Sequence, residues 1–223
     1  MLFLLFGSSA SGKTTVIHDV CGLVRNVEVH DFDEINVPPG ADTAWRQRHY
    51  AYWIEAALAL QSKGADLVLC GQTPLGELLA FPSAPRLEAI SACLVDCDDV
   101  TRGLRLEGRG QEWFARSAGH LQDDYTWPEW VRNHLMWADW LRRHAEDPQW
   151  MKYVIQIPET ANEMRWERWN NWQAGDPRWS VHTIDTTDRS RTDAAQDLAR
   201  WIEHERQLVA DGRHPLVNWA DTA

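Results

Sequence analysis

The chain opens with six apolar residues, 1–6, and this run stops at Gly7. A secretion signal would need basic residues before the run and a longer apolar core within it. A short apolar run that ends at a glycine is typical of a fully buried strand of a parallel sheet. We therefore predict a buried first strand, and we expect a cytoplasmic protein.

Four further apolar stretches predict the rest of a sheet, over residues 27–30, 66–70, 90–96 and 180–184. Apolar residues recur at helical spacing between them, which predicts helices near residues 13–24, 43–62, 98–107 and 192–209. Because strands alternate with helices, we predict an α/β fold with a doubly wound, parallel, five-stranded sheet. Ligands of such sheets bind beyond the carboxyl ends of the strands.

Residues 110–179 interrupt this alternation, and we predict that they form a helical, Trp-rich lid. Ten of the fourteen tryptophans lie there, at positions 113, 127, 130, 137, 140, 150, 166, 169, 172 and 179. The sequence TWPE at 126–129 predicts a capping box and a helix to about residue 144, and a shorter helix is expected over 162–173. Most of the indoles should belong to the core, and the alternative is that two or three line a pocket for a ring-bearing substrate.

These boundaries divide the chain into three parts. We predict a core formed by residues 1–109 and 180–209, the lid at 110–179, and a C-terminal tail at 210–223.

Directly after the first strand, residues 7–14 read GSSASGKT and match G-x-x-x-x-G-K-[ST] at every specified position. Glycines let successive backbone N–H groups curl around a phosphate, and the helix that follows points its positive end at the same anion. Lys13 would reach the β- and γ-phosphates, and the Thr14 hydroxyl would bind Mg²⁺. The predicted nucleotide contacts are Gly7, Ser8, Ser9, Ala10, Ser11, Gly12, Lys13, Thr14 and Thr15. The alternative is a Gly/Ser-rich turn that binds nothing.

Asp31 and Asp33 alternate along an extended segment after the second predicted strand. Their carboxylates therefore diverge, so that one can reach the hydration shell of Mg²⁺ and the other an incoming hydroxyl. Phosphoryl transfer to an alcohol needs both tasks. The alternative is a solvated acidic turn.

Charge and cysteine content narrow the class of protein. The formal net charge of −11 argues against nucleic acid as the main partner, since such domains usually carry a basic footprint. The chain shows no membrane-spanning apolar run, so we expect no membrane partner. The four cysteines form no CxxC pair, and we predict reduced, packed thiols.

At this point the sequence resembles the small-molecule P-loop kinases of the shikimate kinase, gluconate kinase and chloramphenicol phosphotransferase type. The resemblance covers roughly residues 1–109 and 180–209. Four sequences carry it: GSSASGKTT, HDFDE, LVLCG and LVDCDDVTRGLRLEGRG. It implies a P-loop NTPase fold of the nucleoside/shikimate kinase-like kind, with ATP and Mg²⁺ as cofactors.

The resemblance also implies roles for single residues. Asp33 matches the base that orients the acceptor, and Asp31 matches the carboxylate that supports Mg²⁺. Gly71 matches the glycine beside the γ-phosphate. Arg105 and Arg109 match arginines of the lid, which would stabilise charge on the transferring phosphoryl group. The alternative for each arginine is an ordinary surface charge on a polar helix.

Weaker matches complete the predicted site. The catalytic group comprises Lys13 together with Asp33, Arg105 and Arg109. Thr186 lies in a DTT sequence that resembles the family's loop near the adenine. Two further arginines, Arg102 and Arg116, are weaker candidates for the lid.

The chain also departs from the family. Its insertion is longer than the simple lids of shikimate and gluconate kinases, and the arginine pattern expected for a shikimate-like carboxylate is missing. Arg46, Arg48 and His49 lie where substrate contacts often fall, although a solvated basic turn explains them better.

We therefore predict an ATP- and Mg²⁺-dependent kinase that phosphorylates a hydroxyl group of a small molecule by direct in-line transfer. A natural product or antibiotic is the preferred acceptor class, and the aromatic insertion is its only support. The alternatives are a nucleoside or nucleotide kinase, a P-loop protein that sequesters a ligand without transfer, and a polynucleotide 5′-hydroxyl kinase. The oligomeric state stays open, with a homo-oligomer among the options.

Overall fold

The first apolar run forms the central strand of a five-stranded parallel sheet in the computed structural model of the chain. The strands are β1 (Leu2–Phe6), β2 (Val27–Asp31), β3 (Asp66–Gly71), β4 (Ile90–Asp96) and β5 (Val181–Asp185). Their order across the sheet is β2-β3-β1-β4-β5, and each neighbouring pair is parallel. The predicted fold class, a doubly wound parallel sheet of five strands, is confirmed.

The structure describes residues 1–35, 37–38, 41–118, 126–157, 163–217 and 219. Within 111–118 it describes the backbone and, among the side chains, that of Phe114. Arg116 therefore lies outside the described side chains. In the described parts of the chain, no helix combines the length and the apolar character that crossing a membrane requires.

Six helices surround the sheet in the described ranges: α1 (Lys13–Val20), α2 (Thr43–Gln61), α3 (Leu75–Ala80), α4 (Asp99–Ala118), α5 (Trp127–Glu146) and α6 (Arg191–Ala210). Capping hydrogen bonds explain where two of these helices begin. The carboxylate of Asp42 accepts a hydrogen bond from the Trp45 backbone N–H at 2.7 Å and caps α2. The predicted capping box of α5 is present, and the Glu129 carboxylate accepts from the Thr126 backbone N–H at 2.8 Å.

Three helices differ in part from what the sequence indicates. The first helix ends at Val20 rather than near residue 24, and Leu23 is exposed. The helix predicted to end near residue 107 is interrupted close to that point by Gly110, which adopts a left-handed φ of 74°, and a second helical piece follows to Ala118. The six-residue helix α3 was not predicted, since so short an apolar segment carries little periodicity.

The helix expected over 162–173 is wrong; its described part contains only the 3₁₀ turn Trp166–Arg168. The Gln149 side-chain amide explains the difference. Its Nε2 donates to the Asn170 carbonyl at 3.0 Å and to the Trp172 carbonyl at 2.7 Å. A side chain thus satisfies backbone acceptors that an α-helix would otherwise use.

The two faces of the sheet carry separate apolar cores. Alternate residues of β1 point to opposite sides, so that Phe3 and Leu5 pack with α1 and α6 while Leu2 and Leu4 pack with α2 and α3. The second core also contains indoles of the Trp-rich segment, namely Trp140, Trp169, Trp172 and Trp179. The expectation that most of these indoles are structural is confirmed for the described residues.

Trp169 joins the Trp-rich segment to α3. Its side chain is fully buried, and its indole N–H donates to the Gly76 carbonyl at 2.8 Å. A Cβ atom on Gly76 would lie 2.6 Å from Trp169 Cζ2, closer than van der Waals contact allows. The glycine is therefore required by the close approach of the indole.

We predict that Gly76→Ala lowers the free energy of unfolding by about 1–3 kcal/mol, because the new methyl group overpacks this contact. The melting temperature should fall by roughly 2–4 °C per kcal/mol in a chain of this size. Gly103→Ala is the matched control, since no atom lies within 4 Å of its added Cβ. We expect the control to be neutral or stabilising by about 0.4–1 kcal/mol. Equal melting temperatures for the two variants would contradict the packing described here.

Candidate active site

The carboxyl ends of β1, β2 and β3 open into a cleft of about 200 Å³. Its lining consists of Ser9, Ala10, Ser11, Gly12, Lys13, Thr14, Thr15, Asp31, Asp33, Gly71, Gln72 and Arg109. The cleft thus brings together residues from the GSSASGKTT loop, the HDFDE turn, the end of β3 and α4. All of these except Gln72 were predicted as site residues from the sequence.

The phosphate-binding loop follows β1 and passes close to β4. A Cβ atom on Gly7 would lie 2.2 Å from the Val95 carbonyl oxygen, so only glycine fits there. Gly12 adopts a φ of 93° just before α1 begins at Lys13, in the left-handed region that glycine favours. These two glycines permit the tight loop conformation that backbone N–H groups need to surround an anion.

Lys13 lies across this loop rather than extending into solvent. Its Nζ donates to the Gly7 carbonyl at 2.7 Å and to the Ser8 carbonyl at 3.1 Å. Burial is the main cause that lowers the pKa of the ammonium group; the Asp31 carboxylate opposes it, and Arg102 and Arg109 lower the pKa further. An anion bound in the loop would reverse this effect and stabilise the charged lysine.

The acidic turn after β2 gives its two aspartates different surroundings. Asp31 caps the 3₁₀ turn Phe32–Glu34, and its Oδ1 accepts from the Asp33 backbone N–H at 3.0 Å. Asp33 carries a raised pKa, chiefly because it is partly buried and then because the Asp31 carboxylate lies beside it. A carboxylate with a raised pKa is well suited to accept a proton during a reaction.

His49 supports the same turn from α2. Its Nε2 lies 2.8 Å from the Phe32 carbonyl oxygen, and its ring stacks on Trp45 with 4.5 Å between ring centroids. Arg46 forms an ion pair with the buried Glu77 of α3. Arg48 is exposed. Of these three basic residues, Arg46 and His49 therefore have structural partners near Asp33.

Arg102 and Arg105 of α4 hold the phosphate-binding loop from outside. Arg102 is fully buried, donates to the Ser9 carbonyl at 2.7 Å and pairs with Asp96. Arg105 donates to the Ala10 carbonyl at 3.3 Å and to both the hydroxyl and the carbonyl of Thr186 at 2.8 Å. Contact of Arg105 with a phosphoryl group stays a prediction, since protein oxygens accept from both of its terminal nitrogens here.

A second cavity of about 460 Å³ adjoins the cleft on the side of β5. Ala10, Gly12, Thr15 and Arg109 line both spaces. Thr186 lines the second cavity, and its hydroxyl donates to the Ser11 carbonyl at 2.7 Å. The two cavities therefore lie side by side along the loop.

The predicted metal ligands Thr14 and Asp31 both line the phosphate cleft. Their hydroxyl and carboxylate oxygens are the hard donors that Mg²⁺ prefers. No group of three or more His, Cys, Asp or Glu side chains could hold a metal in the described part of the chain. The donor set therefore fits Mg²⁺ bound through a few protein oxygens, with water and phosphate oxygens as its remaining ligands.

Helix α5 contacts the loop in a way that the sequence did not reveal. The buried Ser8 hydroxyl donates to the His134 backbone carbonyl at 2.9 Å. Further along α5, Arg142 pairs with Asp96 and Asp99 and donates to the Cys97 carbonyl at 3.1 Å. The Ser8 hydroxyl binds a backbone carbonyl, a group that every residue type has. No sequence motif could therefore have indicated this contact.

Comparisons with known proteins identify the fold. No protein-family model matches the sequence, and no curated protein is similar to it. A sugar kinase from Janibacter sp. HTCC2649 is similar in structure, with a TM-score of 0.53 and 12% sequence identity over 91% of this chain and 94% of that one. A candidate kinase from Chloroflexus aurantiacus aligns with a TM-score of 0.50 and 14% identity, over 91% of this chain and 96% of that one. The chain therefore has the fold of the small-molecule P-loop kinases.

We predict that Arg102→Leu lowers the free energy of unfolding by about 3–5 kcal/mol, because it removes one partner of a buried ion pair. Nucleotide affinity should fall as well, since the Ser9 carbonyl loses the donor that fixes the loop. Urea unfolding and nucleotide titration measure the two effects. Arg86→Leu is the control; its pair with Glu55 is exposed on both sides and should contribute less than about 1 kcal/mol. Similar losses in both variants would refute the anchoring role of Arg102.

Proposed function

We propose that the protein is an ATP- and Mg²⁺-dependent kinase that transfers a phosphoryl group to a hydroxyl of a small molecule. One observation carries the proposal: a single cleft contains the phosphate-binding loop with Lys13 and Thr14 and, from a separate strand, Asp31 and Asp33. This arrangement combines the anion-binding and proton-accepting groups that phosphoryl transfer to an alcohol requires.

The described residues support the following roles. Backbone N–H groups of the loop and the Lys13 ammonium group would hold the β- and γ-phosphates. Asp33 would accept a hydrogen bond from the acceptor hydroxyl and take its proton as the new O–P bond forms. The bond between the γ-phosphorus and the bridging oxygen breaks in the same in-line step, and ADP leaves with that electron pair. Mg²⁺ bound near Thr14 and Asp31 would neutralise charge on the phosphate oxygens.

Charge near Asp33 favours an acceptor without a phosphate or carboxylate group. Arg46 lies close enough to Asp33 to lower the pKa of that carboxyl, but Glu77 already balances its charge. Asp31 and Asp33 would repel an anionic acceptor. This balance favours a neutral polyol or sugar over a nucleotide, and the similar fold of a sugar kinase agrees with that choice.

A ring-bearing natural product or antibiotic is the second acceptor class of the proposal. The indoles that enter the core, Trp140, Trp169, Trp172 and Trp179, are unavailable to a ligand. Trp45 is half-buried and stacks on His49, whose Nε2 contacts the turn that carries Asp33. Its exposed part would offer an apolar wall to an acceptor bound at Asp33.

We predict that Asp33→Asn lowers kcat by about 10²–10⁴-fold, the usual contribution of a general base. The Kd for Mg²⁺-ATP should stay nearly unchanged, because Asp33 would contact the acceptor rather than the nucleotide. Steady-state rates and nucleotide titration measure the two quantities. Asp139→Asn is a matched control on the exposed face of α5 and should leave both unchanged. Full turnover of Asp33→Asn would exclude this residue as the base.

We also predict that neutral hydroxyl compounds stimulate ADP release from Mg²⁺-ATP more than phosphorylated or carboxylated ones. A panel of sugars, sugar acids, nucleosides, aminoglycosides and aromatic natural products tests this, with Lys13→Ala as the blank. Stimulation by nucleoside monophosphates alone would favour a nucleotide kinase. Tight nucleotide binding without stimulation by any class would favour a sequestering protein.

A further inference from the structure

Gln72 lines the phosphate cleft together with Lys13 and Asp33, and the mechanism proposed above gives it no task. It follows Gly71 directly at the carboxyl end of β3, and its side chain is exposed. Ligands of a parallel sheet bind beyond these strand ends. A polar side chain at this place can therefore contact a ligand that occupies the cleft.

The order of the strands places Gln72 between the two halves of the proposed site. Strand β3 lies between β1 and β2, with Gly71 paired to Phe6 and Cys70 paired to Asp31. Strand β1 leads into the phosphate-binding loop, and β2 leads into the acidic turn. A phosphoryl group that passes from a nucleotide on the loop to an acceptor on the turn therefore crosses the end of β3.

Two contacts join the end of β3 to both halves of the site. A Cβ atom on Gly71 would lie 2.9 Å from the Cβ atom of Phe32, the residue before Asp33, so the strand end packs directly on the acidic turn. On the other side, the Gln72 Nε2 donates to the Ser9 hydroxyl oxygen at 3.3 Å. The amide is thus held beside the loop, in the cleft that Asp33 also lines.

The Gln72 amide has hydrogen-bonding capacity that these contacts do not use. A glutamine amide carries two N–H donors and one carbonyl acceptor. One N–H of Gln72 goes to Ser9, and the amide forms no other hydrogen bond with the described residues. One N–H donor therefore stays available to a group inside the cleft.

A count of donors and acceptors identifies the partner of this N–H. The acceptor hydroxyl has a single proton, which Asp33 would take, and its oxygen gives an electron pair to phosphorus. The oxygens of the transferring phosphoryl group can only accept hydrogen bonds, and the charge of the reaction spreads over them. These oxygens are therefore the best acceptors that the reaction offers to an amide N–H.

We propose that Gln72 is a further catalytic residue, whose second amide N–H donates to an oxygen of the γ-phosphoryl group while that group is transferred. No proton moves through Gln72, so the in-line step described above is unchanged. A neutral donor aimed at the place where charge develops lowers the barrier more than it strengthens nucleotide binding. This inference rests on the proposed function, because it requires a phosphoryl group in transit.

Two substitutions separate this role from a merely structural one. Gln72→Ala should lower kcat by about 10²–10³-fold, the usual loss when one such donor is removed. Gln72→Glu keeps the shape, and its carboxylate can still accept from the Ser9 hydroxyl, but it has no N–H. It should lose at least as much activity. If Gln72 only fixed Ser9, Gln72→Glu would stay close to native.

Aluminium fluoride tests the contact without any knowledge of the acceptor. Bound beside Mg²⁺-ADP, it mimics the transferring phosphoryl group, and such analogues bind more tightly than the ground state. We expect fluoride to strengthen ADP binding by the native protein, and both Gln72 variants to lose most of this gain. Their Kd for Mg²⁺-ADP alone should stay nearly unchanged. Gln196→Glu makes the same charge change on the exposed face of α6, away from both cavities, and should behave as native.

The outcomes separate this inference from the proposed function. The same gain from fluoride in the native protein and in Gln72→Ala would overturn the role of Gln72 and leave the kinase proposal intact. If the native protein binds no nucleotide, or gains nothing from fluoride, both are overturned. If Gln72→Ala does not fold, Gln72→Glu decides the question, because a native gain in that variant contradicts the proposed N–H contact.

Discussion

A fully buried guanidinium group, that of Arg102, holds the phosphate-binding loop against the sheet. It joins the Ser9 carbonyl of the loop to Asp96 at the end of β4. Arg142 of α5 shares Asp96 and extends the network to the Trp-rich segment. Because a buried charge is stable only with its partners in place, loop, sheet and α5 depend on one another for their positions.

This network concentrates positive charge in a chain whose net charge is −11. Lys13, Arg102, Arg105 and Arg109 all approach the loop, and Arg102 pairs with Asp96. Burial is the main cause that lowers the pKa of Lys13; Asp31 opposes it, and Arg102 and Arg109 add to it. The loop is therefore prepared for an anion, and bound phosphate would relieve the repulsion.

Sequence reasoning succeeded where a local pattern dictates local structure. The apolar run before Gly7 could only be buried as a strand, and the loop motif fixed the position of Lys13 at the start of α1. It failed where tertiary contacts override periodicity. The spacing of Trp166, Trp169 and Trp172 predicted a helix, but the Gln149 amide satisfies backbone carbonyls there instead.

In the candidate site, too, the sequence predicts the residues that local patterns position and not those that tertiary contacts position. Asp31 and Asp33 reach the cleft because the end of a strand places them there, which the sequence pattern indicates. The partners of Arg102 and Arg105 are mainly backbone carbonyls from distant segments, and a sequence contains no record of such contacts. The pKa of His134 is low mainly because the ring is partly buried, and three cations that the fold brings together lower it further. The identity of the acceptor depends on similar long-range contacts around Asp33.

Transfer of the γ-phosphoryl group to carbon-bound oxygen is the central claim, and ³¹P NMR of a reaction with Mg²⁺-ATP and an acceptor tests it most directly. The account predicts a new phosphate monoester resonance that grows in step with ADP and requires both the acceptor and Lys13. Formation of inorganic phosphate alone, at the same rate with and without acceptor, would contradict it.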